Sequence, residues 1–271
     1  MSQPTSYQAV AFNEVPNSEN QIHGDDVAAR FGFEGGLVPG VTVSAYLAHP
    51  AVLAWGPEYV SSGAARLVVE KPVYDGYPFS VEVSADGENA YNAVLSDQSG
   101  SIRARGRCWM PAELPVAPQR RGDPILSPDL QRPPDTPETM RSLQSSGLGA
   151  LQICWDDAAE LTTYFRDPTL MPTPLNLAGG RNAHLGFVLG LTNWALGRNA
   201  HINPWMRLQT ESQCFRAVEY GTGLVVESAI VDLFEKKGHH FCDVDVDAFQ
   251  ISDDAPVMHA RLRAIYQLRG A

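Results

Sequence analysis

The chain has 271 residues, 44% hydrophobic and 19% charged, which excludes a disordered polymer and fits one large folded unit or two small ones. Twenty Lys and Arg against 31 Asp and Glu give a net charge of −11, so there is no basic field for a phosphate backbone and nucleic acid is not an expected partner. Lysine occurs only at Lys71, Lys236 and Lys237, leaving arginine forks or backbone N–H groups to hold any anionic ligand.

The start, Met1 to Tyr7, carries neither a basic nor an apolar segment, and no run approaches the roughly 18 apolar residues of a membrane span. A cytoplasmic protein with no membrane partner is the expectation. Cys108, Cys154, Cys214 and Cys242 are scattered with no C-x-x-C pair and read as buried small hydrophobes.

In chain order, the loop Asn17 to Asp25 leads to Gly36-Leu37-Val38-Pro39-Gly40-Val41-Thr42 and the apolar Val43 to Ala48, a glycine-punctuated start to one mostly buried helix. Strand signals follow at Val68–Gly76, Phe79–Val83, Tyr91–Leu95 and Ser101–Trp109, with apolar residues alternating with Ser, Glu or Arg. Between Pro111 and Pro137 lie eight prolines, together with Arg120-Arg121-Gly122-Asp123, and such a segment sustains neither helix nor sheet pairing.

Beyond this linker the pattern repeats. Gly186-Phe187-Val188-Leu189-Gly190-Leu191-Thr192 with Asn193-Trp194-Ala195-Leu196 reads as a second buried helix. Strand signals at Cys214–Gly221, Leu224–Ser228, Phe241–Asp247 and Met258–Tyr266 follow in matching order. One helix and a meander of antiparallel strands, made twice, is an α+β tandem duplication. The expected division is a unit over 1–110, a proline-rich linker over 111–147 and a second unit over 148–271.

Asn17-Ser18-Glu19-Asn20-Gln21-Ile22-His23-Gly24-Asp25, the Gly35-Gly36-Leu37-Val38-Pro39-Gly40 run and Lys71-Pro72-Val73-Tyr74-Asp75-Gly76 resemble the MaoC-like group of the hotdog superfamily, which includes R-specific enoyl-CoA hydratases and acyl dehydratases. The resemblance covers the first half by motif and the second by the repeat alone. It implies a double hotdog, with an antiparallel sheet wrapped around a central helix in each half. The family loop usually reads Gly-Asp-x-Asn-Pro-(Ile/Leu/Val)-His-x-Asp. This chain keeps Asn20, Ile22, His23, Asp25 and Gly40, whereas Asn17-Ser18 replaces Gly-Asp, Gln21 replaces the proline, and Pro39 replaces a histidine common before the helix glycine.

Adding water across an enoyl thioester needs a base, an acid at the α-carbon, and donors for the thioester oxygen as enolate charge develops. The resemblance assigns acid–base work to His23 and oxyanion donation to the Gly40 N–H, helped by the helix dipole. Ser18 stands at the carboxylate position and is no comparable base. Three readings are open there: a displaced carboxylate from Glu19 or Asp25; a less demanding acid–base reaction run by His23 alone, with Ser18 and Asn20 orienting the substrate; or a degenerate site that only binds. A plain structural role, capping the helix that begins near Asp25, is the alternative for His23, and turn formation is the alternative for Asn20.

The candidate catalytic set is therefore His23, Ser18, Asn20 and Gly40. Asp25, Pro39, Tyr46, Trp55 and Trp194 are candidates for lining a substrate tunnel, with Phe187 beside them, although aromatics on a buried helix are core by default. His184, just before the second helix, is read as structural or cavity-lining. Asp243, Asp245 and Asp247 alternate near His239-His240 and read as the solvated face of a strand, so no metal is expected.

No motif calls for a cofactor. The expected partner is a small-molecule substrate, free or linked to CoA or a carrier; for CoA, Arg66, Lys71, Arg103, Arg105 and Arg107 are the candidate phosphate ligands. The expected activity is a MaoC-like hydro-lyase on an acyl thioester or related enone. An isomerase or cyclase on an unusual metabolite, and a non-catalytic ligand-binding subunit, are the alternatives. Hotdog units pair their sheets, which a duplicated chain does internally, and a homodimer of such chains stays open.

Overall fold

The computed structural model describes residues 2–175 and 181–269. The first half contributes β1 (Tyr7–Val10), the short helix α1 (Asp25–Arg30), the long helix α2 (Gly40–Trp55), α3 (Pro57–Ser62), β2 (Ala64–Val69), β3 (Pro78–Ala85), β4 (Ala90–Asp97) and β5 (Ile102–Trp109). After the proline-rich segment come α4 (Pro137–Ser146), β6 (Leu151–Trp155), α5 (Leu185–Asn199), β7 (Met206–Cys214), β8 (Thr222–Lys236), β9 (His239–Gln250) and β10 (Pro256–Gln267).

All strands join one sheet in the order β1-β3-β4-β5-β2-β7-β10-β9-β8-β6. Read from its centre, the second half repeats the first in reverse, so an approximate two-fold axis passes between β2 and β7. Those strands pair antiparallel, with Ala64 opposite Gln213 and Val68 opposite Gln209, and Arg66 Nε reaches Glu211 Oε1 at 3.1 Å across the seam. The sheet is thus continuous through both halves, and α2 and α5 pack against each other and against its strands.

The first strand after each long helix lies earlier than the alternation suggests: β2 ends at Val69 and β7 at Cys214. Pro72 has no N–H for a ladder, and residues 70–74 instead brace the start of α2, where Val38 N–H donates to Val73 O at 2.8 Å.

Every residue of α2 from Val41 to Val52 is buried. Pro50 lies inside this helix. It carries no N–H, which frees the carbonyl of Tyr46 one turn earlier, and the Tyr7 hydroxyl donates to that carbonyl at 2.8 Å. The Tyr91 hydroxyl likewise donates to Leu47 O at 2.8 Å while accepting from Ala51 N–H at 3.2 Å, so strand side chains complete the bonding of this turn.

Thr136 caps α4, and this ten-residue helix closes the proline-rich segment. The segment itself is held by Glu227, whose fully buried carboxylate receives Arg120 Nε at 2.9 Å, Arg121 N–H at 2.6 Å and Gly122 N–H at 2.9 Å. Burial alone would raise the Glu227 pKa, but these donors bring it below the ordinary value. No described helix is long and apolar enough to cross a membrane.

Candidate functional site

The loop before α1 makes a single helical turn at Gln21–His23 and presents the His23 ring toward the start of α2. His23 Nδ1 lies 2.7 Å from Leu37 O. A carbonyl only accepts, so Nδ1 carries the proton and Nε2 is the basic nitrogen. Asn20 Nδ2 approaches Nε2 at 3.3 Å. Burial lowers the His23 pKa from 6.5, with the bond to Leu37 opposing in part, and keeps the ring neutral near pH 7.

Backbone contacts fix this ring from below. Asn13 Nδ2 donates to His23 O at 2.9 Å. Gly36 passes so close that a Cβ there would lie 2.2 Å from His23 O. Its N–H donates to Asp25 Oδ1 at 2.7 Å.

The loop is also tied to the second half of the chain. Asn20 Oδ1 accepts from Trp205 N–H at 3.2 Å, and its Nδ2 donates to Trp205 O at 3.1 Å. Gln21, in place of a proline, has an N–H to give, and it donates to Asn203 Oδ1 at 2.9 Å.

Two cavities meet at His23. The larger, about 470 Å³, is lined by Val15, Leu151, Ile153, Leu161 and Ile202 among others and takes in Ser18, Pro39 and Trp194. The smaller, about 80 Å³, takes in Gly40, Lys71 and Arg207. Asn20, His23, Asn193 and Trp205 line both. Gly40 is the first residue of α2, ahead of the first intrahelical bond from Val43 N–H to Pro39 O, so its N–H belongs to the positive end of the helix.

Three candidates fall outside these cavities. Asp25 lies off both cavities, where its Oδ1 accepts from Gly36 N–H and braces the loop, so it is not placed to serve as the displaced carboxylate. Tyr46 is fully buried against Phe79, Tyr164 and Phe165, where its hydroxyl accepts from Phe12 N–H at 2.9 Å. Trp55 packs on Tyr59 and Tyr91 at the far end of α2. Both aromatics are core because the helix that carries them is wrapped by sheet along its length. Ser18 Oγ donates to Asn20 O at 3.2 Å and so orders the loop. Glu19, also on the larger cavity, is paired with Arg132 at 2.7 Å.

Sequence reasoning did not single out Asn193, Trp205 or Arg207. Arg207 follows from a bulge. On β7, Gln209 faces Arg263 of β10 and Arg207 faces Ala264, so Leu208 is the extra residue. Regular alternation would send Leu208 inward and Arg207 out; the bulge turns Arg207 to the buried side. Its stem lies over Gly40, where a Cβ would meet the Arg207 Cβ and Cδ at 3.1 Å. Its terminal nitrogens donate to Leu189 O at 2.9 Å, Asn193 Oδ1 at 2.6 Å, Thr192 and Thr210. Burial pulls its pKa down to about 9.

Cys154 is the exception among the cysteines: it is half-buried on the larger cavity, and burial first, then Asp156, raise its pKa, so it is no thiolate. Asp243 and Asp245 are not merely solvated, because they hold Arg263 and Arg261 through two bonds each; Asp247 takes Arg121 and His259. Among the described residues no group of three His, Cys, Asp or Glu side chains is placed to hold a metal ion. The candidate CoA arginines are likewise paired, Arg66 with Glu211, Arg103 with Asp97, Arg105 with Glu70 and Arg107 with Asp86. Part of the loop that corresponds to the His23 loop in the second half, residues 176–180, lies outside the described residues.

No family model matches the sequence, and no curated protein is a significant match. Solved structures do match over nearly the whole chain. A conserved Mycobacterium tuberculosis protein, described as having a double hotdog fold, aligns with a TM-score of 0.59 at 16% identity over 98% of this chain and 96% of its own. The chain has the double hotdog fold. A candidate MaoC domain dehydratase from Chloroflexus aurantiacus aligns with a TM-score of 0.57 at 12% identity, covering 98% of this chain and 96% of its own. A candidate thioesterase from Novosphingobium aromaticivorans aligns with a TM-score of 0.55 at 13% identity over 99% and 98%. At these identities the double hotdog architecture is what is shared.

Proposed function

We propose that this double hotdog chain is a MaoC-like hydro-lyase acting on an acyl thioester or a related enone. The observation that carries this reading is the position of His23 Nε2, a neutral, unprotonated base lining both cavities beside the N-terminus of α2. In the dehydration direction Nε2 takes the α-proton of a 3-hydroxyacyl thioester, and the electron pair moves to the thioester oxygen, where the Gly40 N–H receives the enolate charge. The enolate then expels the β-hydroxyl, which leaves as water with the proton held on Nε2. Hydration is the reverse. One histidine thus serves as base and acid in turn, which fits a loop in which Ser18 stands at the carboxylate position and Asp25 lies off both cavities.

The larger cavity, with Trp194 and Pro39 on its wall, takes the acyl portion. Thioester hydrolysis is the second reading: it needs a base for water at the carbonyl, and of the cavity-lining acids Glu19 and Glu70 are paired with Arg132 and Arg105, while Asp156 and Glu160 on the larger cavity enter no ion pair among the described residues. Incubation with crotonyl-CoA, longer 2-enoyl-CoA thioesters and the CoA thioester of glutaconate, following the enoyl absorbance, tests the proposal. Loss of absorbance that disappears in His23→Ala is expected. No turnover, turnover unchanged in His23→Ala, or release of free thiol in place of hydration would overturn it.

A further inference from the structure

Arg207 is the only arginine in the buried class among the described residues, at 6% exposure, and none of the ion pairs among them includes it. The residues outside the described set, 1, 176–180 and 270–271, carry no acidic side chain. Its partners are a carbonyl, two hydroxyls and an amide, all neutral, and its Nε is buried with no partner at all. A buried cation without a counter-charge is costly, and a well-packed apolar side chain would serve the fold better. The bulge at Leu208 would by alternation be unnecessary for packing, since a regular strand would put a leucine at this point.

Arg207 lines the smaller cavity together with the first residue of α2, so a buried cationic side chain and the positive end of a sixteen-residue helix meet on its wall. Lys71 adds a second cation to the wall, and the acid on that wall, Glu70, is taken by Arg105. We propose that the smaller cavity is an anion subsite, and that the substrate carries a carboxylate which Arg207 receives while the reacting carbons lie at His23. A buried cation is complemented by an anion; a substrate ending in a neutral group would leave Arg207 uncompensated in the complex. The inference rests on the proposed hydro-lyase reading for the placement of the reacting carbons, but the charge preference stands on Arg207 alone.

Dissociation constants for crotonate and for the isosteric crotonamide, measured on wild type, Arg207→Met and Arg207→Lys, test the subsite without turnover. Wild type is expected to hold crotonate at least about ten-fold more tightly than crotonamide. Arg207→Met is expected to lose that preference while melting no lower than wild type, and Arg207→Lys to keep part of it. Equal affinities in wild type, or a preference undiminished in Arg207→Met, would overturn the inference. In a second arm, the CoA thioesters of glutaconate and 2-pentenoate are compared as substrates. Turnover of both at equal efficiency refutes the subsite and leaves the hydro-lyase reading intact; carboxylate preference in binding with turnover of neither refutes the hydro-lyase reading and leaves the subsite intact.

Discussion

The starts of α2 and α5 are related by the pseudo-two-fold axis, yet one is hollow and the other is filled. At α2, Pro39 and Gly40 stand between cavities of about 470 and 80 Å³, with His23 and Arg207 on their walls. At α5, the N-cap is His184, whose ring is buried among Trp155 and Tyr164 and lies so near Gly186 that a Cβ there would meet it at 2.8 Å. Among the described residues the cavity beside Ala183 and Leu185 measures about 10 Å³, room for about one water. Both rings bond a carbonyl through one nitrogen, His23 to Leu37 and His184 to Leu161. The two histidines do not occupy equivalent positions: His184 is the N-cap of α5, where α2 has Pro39, and His23 reaches the start of α2 from a separate loop, so aromatic packing fills at α5 the space that stays open at α2.

The largest expected effect separates them directly. His23→Ala is expected to lower kcat for 2-enoyl thioester hydration by roughly 10²–10⁴-fold, whereas His184→Ala leaves kcat within a few-fold and lowers the melting temperature; steady-state rates and thermal melts on both variants decide. The glycines under the two rings sharpen the contrast. Gly36→Ala must displace the His23 carbonyl and is expected to reduce both kcat and stability, by about 1–3 kcal/mol for the latter. Gly186→Ala, pressing on the His184 ring, is expected to cost stability alone.

Acid separates the two helix starts more gently. Burial pushes the pKa values of His184 and His49 down to about 4, so both are neutral in the folded protein while the unfolded chain takes up protons from about pH 6.5. Their contribution is complete above pH 6.5 and is lost as pH falls toward 4, on the order of 3 kcal/mol for each. Melting temperature against pH should fall across that window, and less steeply in His184→Gln. The His23 pKa is also lowered, so the acid limb of the hydration rate is expected below pH 6.5, where its Nε2 becomes protonated.

The smallest effect lies away from both histidines. Glu227→Gln removes the charge that gathers Arg120 and the N–H groups of Arg121 and Gly122, and is expected to cost about 1–3 kcal/mol in urea unfolding with hydration rates unchanged.

The duplicated fold was legible because burial writes itself into sequence: two apolar helices and two sets of alternating strands repeat in order. His23 and Asn20 were legible through their local motif, and both line the two cavities. Tyr46 and Trp55 misled because an aromatic on a helix buried on all sides looks the same in sequence whether it meets a cavity or a sheet. Arg207 was hidden for a different reason. An arginine between Met206 and Leu208 reads as the outward residue of an alternating strand, and only the partner strand reveals the extra residue that reverses it. Asn193 and Trp205 reach the site across the approximate axis, a contact that no local pattern encodes.

The hydrogen bonds from Asn20 and Gln21 to Trp205 and Asn203 have a consequence for synthesis. A nascent chain that has completed β1 through β5 has the contacts of its histidine to Asn13 and Leu37 but not those of the neighbouring Asn20 and Gln21 to Trp205 and Asn203, which emerge nearly two hundred residues later. The loop that carries the histidine is therefore complete only once β7 has docked along the seam.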